Sequence, residues 1–220
     1  MEDKHLVLPS VGKPVPAVTQ AFQIAKDKLS RIDNVPDMCR KSGATCRGVA
    51  ASKSVSVEYL GRPYVISMDE AEMTSTGDEA ALTAKEKLLI LHYLLTAKGT
   101  PPVQKLITFQ ELPDGHIYYP TFLKRSVQPL LSNFGSDPGL LLPPAEKLGG
   151  KCVALGDFAV TINAFPRIQL TIVLWRGDEE FEARGSILFD AGISDYLPTE
   201  DITILCETIS WKLIKPKPIK

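Results

Sequence analysis

The sequence predicts an α+β fold, an antiparallel sheet of four or more strands packed against several helices. Two observations predict it. Helical spacing dominates the chain up to the Gly149-Gly150 pair, and short β-rich runs broken by Gly, Pro or charged turns follow it. Helices first and a strand cluster later argue for α+β rather than alternating βαβ units. Near mid-chain, LLILHYLL (Leu88–Leu95) is apolar almost all round, as in a helix buried on most sides.

The elements follow in order. Residues 1–15 read as an arm. Pro16 to about Leu29 reads as a helix, with Val18, Ala21, Phe22, Ala25 and Leu29 on one face and Pro16 in the first turn. Asp37–Ser42 reads as a short helix ended by Gly43. Val55–Tyr59 and Tyr64–Met68 flank Leu60-Gly61-Arg62-Pro63 as a β-hairpin. Ala84–Lys98 reads as a helix with Thr83 as N-cap, a capping box closed by Glu86, and a stop at Gly99 and Pro101. Lys105–Phe109 reads as a strand, followed by the turn Leu112–Gly115. Tyr118–Phe134 reads as a helix with Pro120 in its first turn, and Asp137–Leu148 as a shorter one. Cys152–Leu155, Ala159–Phe165, Leu170–Trp175 and Ser186–Phe189 read as an antiparallel meander. The last helix is Glu200–Ile214 with Thr199 as N-cap, its stripe formed by Ile202, Leu205, Cys206, Ile209 and Leu213. This gives an N-terminal arm and helix over 1–54, an α+β domain over 55–214 and a loose tail over 215–220.

Composition narrows the function classes. The 220 residues are 44% hydrophobic and 23% charged, enough to bury a core. A net charge of −1 speaks against a nucleic-acid partner. No apolar run reaches the roughly 20 residues that span a bilayer, and the N-terminus lacks the apolar core of a secretion signal. The expected location is the cytoplasm, with neither membrane nor nucleic acid as partner. Cys39, Cys46, Cys152 and Cys206 are expected as free thiols, because the seven-residue separation of Cys39 and Cys46 is not a zinc-knuckle spacing.

Charge is unevenly distributed. Leu174–Asp201 holds eight acids against two bases, a net −6, so the remainder of the chain sums to +5. Such asymmetry suits a cation site or a contact face for a basic partner, and equally a solvated turn with an acid-rich helix start. If Asp190, Asp195, Glu200 and Asp201 converged, they could hold a hard cation. Paired as a hairpin, the strands ending at Trp175 and Asp190 would set the Asp178-Glu179-Glu180 turn and Asp190 at opposite ends. No nucleophile elbow, phosphate loop, zinc-protease helix or dinucleotide-binding glycine pattern occurs. His92 shares a helical face with Leu88, Leu91 and Leu95. An aromatic set of Tyr93, Tyr118, Tyr119, Phe122 and Trp175 could wall a pocket with Arg125 and Arg167, suited to a planar ligand bearing carboxylates or phosphates.

Four blocks carry a resemblance: EKLLILHYLLTAKGTP (Glu86–Pro101), ITFQELPDGHIYYPTFLKR (Ile107–Arg125), LGGKCVALGDFAV (Leu148–Val160) and LWRGDEEFEARGSILFDAGISDYLPTED (Leu174–Asp201). They resemble a family of uncharacterised domains from anaerobic bacteria and archaea. Some relatives are fused to a four-cysteine iron–sulfur module similar to that of corrinoid iron–sulfur proteins. The likeness covers roughly residues 55–213. Its matching positions are His92, Tyr93, Gly99, Tyr119, Gly156, Asp157, Trp175, Gly177, Asp178, Glu180, Phe181, Asp190, Tyr196, Glu200 and Asp201. It implies no reaction. It does imply an accessory, ligand- or partner-binding role in one-carbon or corrinoid-linked metabolism, with a corrinoid or iron–sulfur protein as partner. Cys39 and Cys46 do not form the cluster motif, so no iron–sulfur centre is expected in this chain. The binding candidates are His92, Tyr93, Tyr119, Arg125, Asp157, Arg167, Trp175, Asp178, Glu180, Asp190, Glu200 and Asp201. The alternative is an enzyme using Asp157, Asp178, Glu180 or Asp190 as acid/base groups or metal ligands.

Overall fold

Two antiparallel sheets and a set of helices make up the computed structural model, which describes residues 16–47, 54–75 and 81–214. The arm over 1–15 and the tail over 215–220 lie outside the described residues. The first helix, α1 (Pro16–Ser30), packs on the central helix α3 (Ala84–Thr96). Between them α2 (Val35–Ser42) is capped by the Asn34 side chain and ends at Gly43 in the left-handed conformation. α3 begins with the expected capping box between Thr83 and Glu86 and buries Leu88, Leu89, Ile90, Leu91, Tyr93 and Leu94.

The predicted hairpin forms as β2 (Ser54–Tyr59) and β3 (Arg62–Ser67). Its two-residue turn places Leu60 and Gly61 at φ of 50° and 74°, the double left-handed geometry that matches strand twist. Two three-residue strands flank it, β1 (Thr45–Arg47) and β4 (Met73–Ser75), giving a four-stranded sheet in the order β1-β2-β3-β4. Strands of three residues show no readable alternation, so neither was expected from the residue pattern.

The second sheet has five strands in the order β5-β9-β8-β7-β6: β5 (Leu106–Thr108), β6 (Lys151–Val153), β7 (Phe158–Phe165), β8 (Ile168–Trp175) and β9 (Arg184–Asp190). β6 to β9 form the expected meander, and β5 pairs with β9 at the edge. One face is apolar, with Ile162 opposite Leu170 opposite Phe189, and Val160 opposite Ile172 opposite Ile187, all buried. The other face carries polar pairs, Thr161 with Thr171 and Asn163 with Gln169. The sheets are joined where the Leu60 N–H donates to the Ala164 carbonyl at 3.0 Å.

Four details correct the sequence expectations. The helix expected from Tyr118 starts three residues earlier, as α4 (Gly115–Phe122). Gly115 permits this, because a Cβ there would overlap the Phe109 carbonyl oxygen. Pro120 therefore sits in the second turn rather than the first. Helical winding continues through a π turn (Leu123–Val127) into α5 (Gln128–Phe134), and the Gln128 N–H reaches back to the Leu123 carbonyl. Pro129 lies just beyond. A proline ring clashes with the carbonyl four residues before it in a regular α-helix, and a widened turn relieves that crowding. Asp137–Leu148 is realised as a 3₁₀ turn (Pro138–Leu141) and the short α6 (Leu142–Glu146). Finally, Thr199 opens α7 (Thr199–Ile214) but does not cap it. Its hydroxyl donates to the Pro113 carbonyl at 2.6 Å, tying the helix start to the turn before α4. Among the described residues no helix is long and apolar enough to cross a membrane.

Candidate functional site

The acids of Leu174–Asp201 hold separate posts. Asp178 Oδ1 accepts from the Glu180 and Phe181 N–H groups and shapes the β8–β9 turn, while Glu180 is exposed there. At the same end of the sheet Asp157 accepts from the Arg176 N–H at 2.9 Å. Asp190 lies at the opposite end. Its Oδ1 accepts from the Val103 and Gly192 N–H groups at 3.1 and 2.8 Å, and its Oδ2 from the Gln104 N–H at 2.8 Å. Asp195 binds Lys98 Nζ at 2.8 Å and the Thr100 hydroxyl at 2.6 Å. The Lys98 hydrogen bond, then that of Thr100, holds its carboxyl below the usual carboxylate range. Glu200 accepts from the Tyr118 hydroxyl at 2.9 Å. Asp201 is 5% exposed and faces His92, with Oδ2 2.7 Å from Nδ1. The chain thus places His92 and Asp201, 109 residues apart, in one pair. Among the described residues no three of His, Cys, Asp and Glu form a group that could hold a metal.

The aromatic candidates also separate. Tyr93 is fully buried, stacked on Phe165 at 4.2 Å. Its hydroxyl donates to the Ser42 carbonyl and accepts from the Arg167 N–H at 3.1 Å. Burial pushes this phenol up, so it stays protonated. Phe122 stacks on Phe109 at 3.9 Å, and Tyr119 packs on Phe122. Arg125 lies 3.6 Å from Glu207. Trp175 is 40% exposed at the Asp178 end, beside an open cleft that also exposes Phe181. β8 covers seven residue steps of about 3.3 Å each, so its ends are roughly 23 Å apart. The structure brings Trp175, Asp178 and Asp157 to one end and Arg167 and Asp190 to the other.

Arg167 and Asp190 share a cavity of about 330 Å³. The β7–β8 turn carries Pro166 and Arg167, and the polar face below supplies Asn163 and Gln169. The loop through Thr100 and Gln104 and the segment from Asp190 to Tyr196 close the sides. The charges here are unequal in availability. Asp190 is committed to three backbone N–H groups, which satisfy its oxygens. The Arg167 guanidinium is exposed and makes no ion pair among the described residues. Tyr196 adds a phenol wall, its hydroxyl donating to the Thr100 carbonyl, and burial pushes its pKa up, so the phenol stays protonated. The cavity therefore offers a free cationic fork, amide side chains and an aromatic edge, a set that receives a carboxylate or phosphate.

Asn163, Gln169, Gln104 and Tyr196 were not among the sequence candidates. The signal for two of them was present: polar residues placed symmetrically about the Pro166-Arg167 turn must share one face once the strands pair.

The match to known proteins is confined to a family model. A domain of unknown function, DUF3786, matches residues 34–211. The chain belongs to the DUF3786 family. No curated protein and no solved structure matches it. Membership of DUF3786, a domain of unknown function, fixes the family and not an activity. The DUF3786 match contains both the cavity and the Trp175 end, and it begins at Asn34, the cap of α2.

Proposed function

We propose that this DUF3786 chain is a non-enzymatic binding domain whose ligand is a small anionic molecule seated against Arg167. The observation that carries this reading is an unpaired guanidinium in a cavity of about 330 Å³ whose one carboxylate is already satisfied. That volume is at the lower end of small-molecule sites, so the ligand is compact. Isothermal calorimetry with inorganic phosphate and with succinate tests it. At least one should bind the native chain, and Arg167→Met should weaken it about tenfold or more, since hydrogen bonds to charged groups contribute about 1.5–3 kcal/mol. Equal affinity in Arg167→Met, or no binding of either anion, would overturn it.

The accessory role in anaerobic one-carbon or corrinoid metabolism belongs to the same reading. Its support is the resemblance to domains fused to iron–sulfur modules, together with exposed Trp175 and Phe181 beside Asp178 and Glu182. Exposed apolar anchors rimmed by charges of both signs, Asp178 and Glu182 with Arg176 and Arg184, suit a protein partner with a complementary mixed-charge rim. Retention of a purified corrinoid iron–sulfur protein on the immobilised chain, weakened by a joint Asp178→Asn and Glu180→Gln exchange, is the expected result. Undiminished retention would count against that face. The enzyme alternative has less support, because Asp157 and Asp178 sit a strand's length from Asp190.

A further inference from the structure

Cys39 and Cys46 meet in space. Their Sγ atoms are 2.7 Å apart, against about 2.05 Å in a disulfide. The approach is imposed by the fold. Gly43, left-handed at φ of 73°, reverses the chain after α2. The Ser42 hydroxyl donates to the Met38 carbonyl at 2.8 Å, and the Tyr93 hydroxyl donates to the Ser42 carbonyl, so the reversal is anchored to α3. β1 then lies in register with β2, Cys46 opposite Val55, which brings Cys46 back beside α2 within 3.8 Å of the Val35 carbonyl.

The two thiols are unequal. Cys39 is buried at 4% exposure, and Cys46 is exposed on an edge strand. Burial first, then the neighbouring Cys46 thiol, pushes Cys39 up to about 12. An exposed thiol with a buried partner in contact is the layout of an attacking and a resolving cysteine.

We propose that Cys39 and Cys46 form a thiol–disulfide exchange site that takes low-molecular-weight disulfides as its oxidant. The Cys46 thiolate attacks one sulfur of RSSR. That S–S bond breaks, and the departing RS⁻ takes the proton Cys46 released. Cys39 then gives up its proton and attacks Cys46 Sγ. The mixed disulfide breaks, and the second RS⁻ leaves with that proton. The protein is oxidised by two electrons, and RSSR is reduced to two RSH. The closed ring is short, so the bridge gains little from chain entropy and stays open to reduction.

The test uses the full chain carrying Cys152→Ser, which removes the other exposed thiol. It is equilibrated with glutathione disulfide and reduced glutathione at graded ratios, acid-quenched, alkylated and digested with trypsin. Cleavage at Arg40 and Lys41 separates the two cysteines, so a bridge appears as a linked peptide pair. The expected result is that pair, reversed by excess reduced glutathione. In the same background Cys39→Ser should stop at glutathione on Cys46, and Cys46→Ser should give neither product. The proposal is overturned if both thiols remain alkylatable at every ratio in the chain that keeps them. A mixed disulfide accumulating there with no linked pair overturns it equally. That chain decides the matter even if a cysteine variant fails to fold.

Discussion

Asp190 shows how a single carboxylate can organise a site without acting in it. It gathers three N–H groups from two loops, one of them from Gln104 at φ of 61°. Asp190→Ala is expected to destabilise the fold by about 2–4 kcal/mol, because several charge-assisted bonds vanish together. Asp190→Asn should lose roughly half of that. Urea unfolding of both variants checks it, and a change below about 0.5 kcal/mol would refute the staple role. His92 and Asp201 form a tighter case. Removing the imidazole leaves the buried Asp201 carboxyl without its side-chain partner, so His92→Ala is expected to cost about 1–3 kcal/mol by the same measurement. The sequence named both residues, but as unrelated candidates. A local pattern cannot pair residues 109 apart, since their meeting depends on how α3 and α7 cross. The bond from the Gly192 N–H to Asp190, in contrast, is a local event, an aspartate accepting from the N–H two residues on.

Among the elements, the long periodic helices and the meander could be read directly, since each carries its own period and its own stop residues. The capping box at Thr83 and Glu86 formed as written. The start of α4 could not be read, because it depends on contact between Gly115 and the Phe109 backbone. Gly115→Ala is therefore expected to lower stability by at least about 2 kcal/mol, far beyond the usual helix-propensity gain of alanine over glycine. A melting temperature unchanged by Gly115→Ala would sink this account. Thr199 misled for a related reason. A threonine before an apolar stripe is a good cap by local rules, yet the hydroxyl is taken by the Pro113 carbonyl of a distant turn. The cavity was the least legible feature. It needs β7, β8, β9 and two loops at once, and of its residues Arg167 and Asp190 alone were binding candidates beforehand, with Tyr196 singled out only as a position of the resemblance.

At the scale of the whole molecule, acid response follows from carboxylates paired with cations. Asp195 is held low by Lys98 and then Thr100, and Asp37 by Lys41 and then Arg40. Glu111 is held low by the Thr108 N–H and hydroxyl. A lowered folded value means stability that is present above the unfolded value of about 4 and lost as pH falls through the folded one. Asp195→Asn should therefore melt below the native chain at pH 7, with the gap closing as pH falls from about 5 toward 2. A gap constant across that range would contradict the assignment. The length of β8 has its own outcome. Because it holds Trp175 remote from Arg167, an indole signal there reports on one end alone. In a Trp211→Phe chain, emission from the remaining indole should respond to a docked macromolecule and stay silent when an anion fills the far end, so the two occupancies can be titrated in one cuvette as independent quantities.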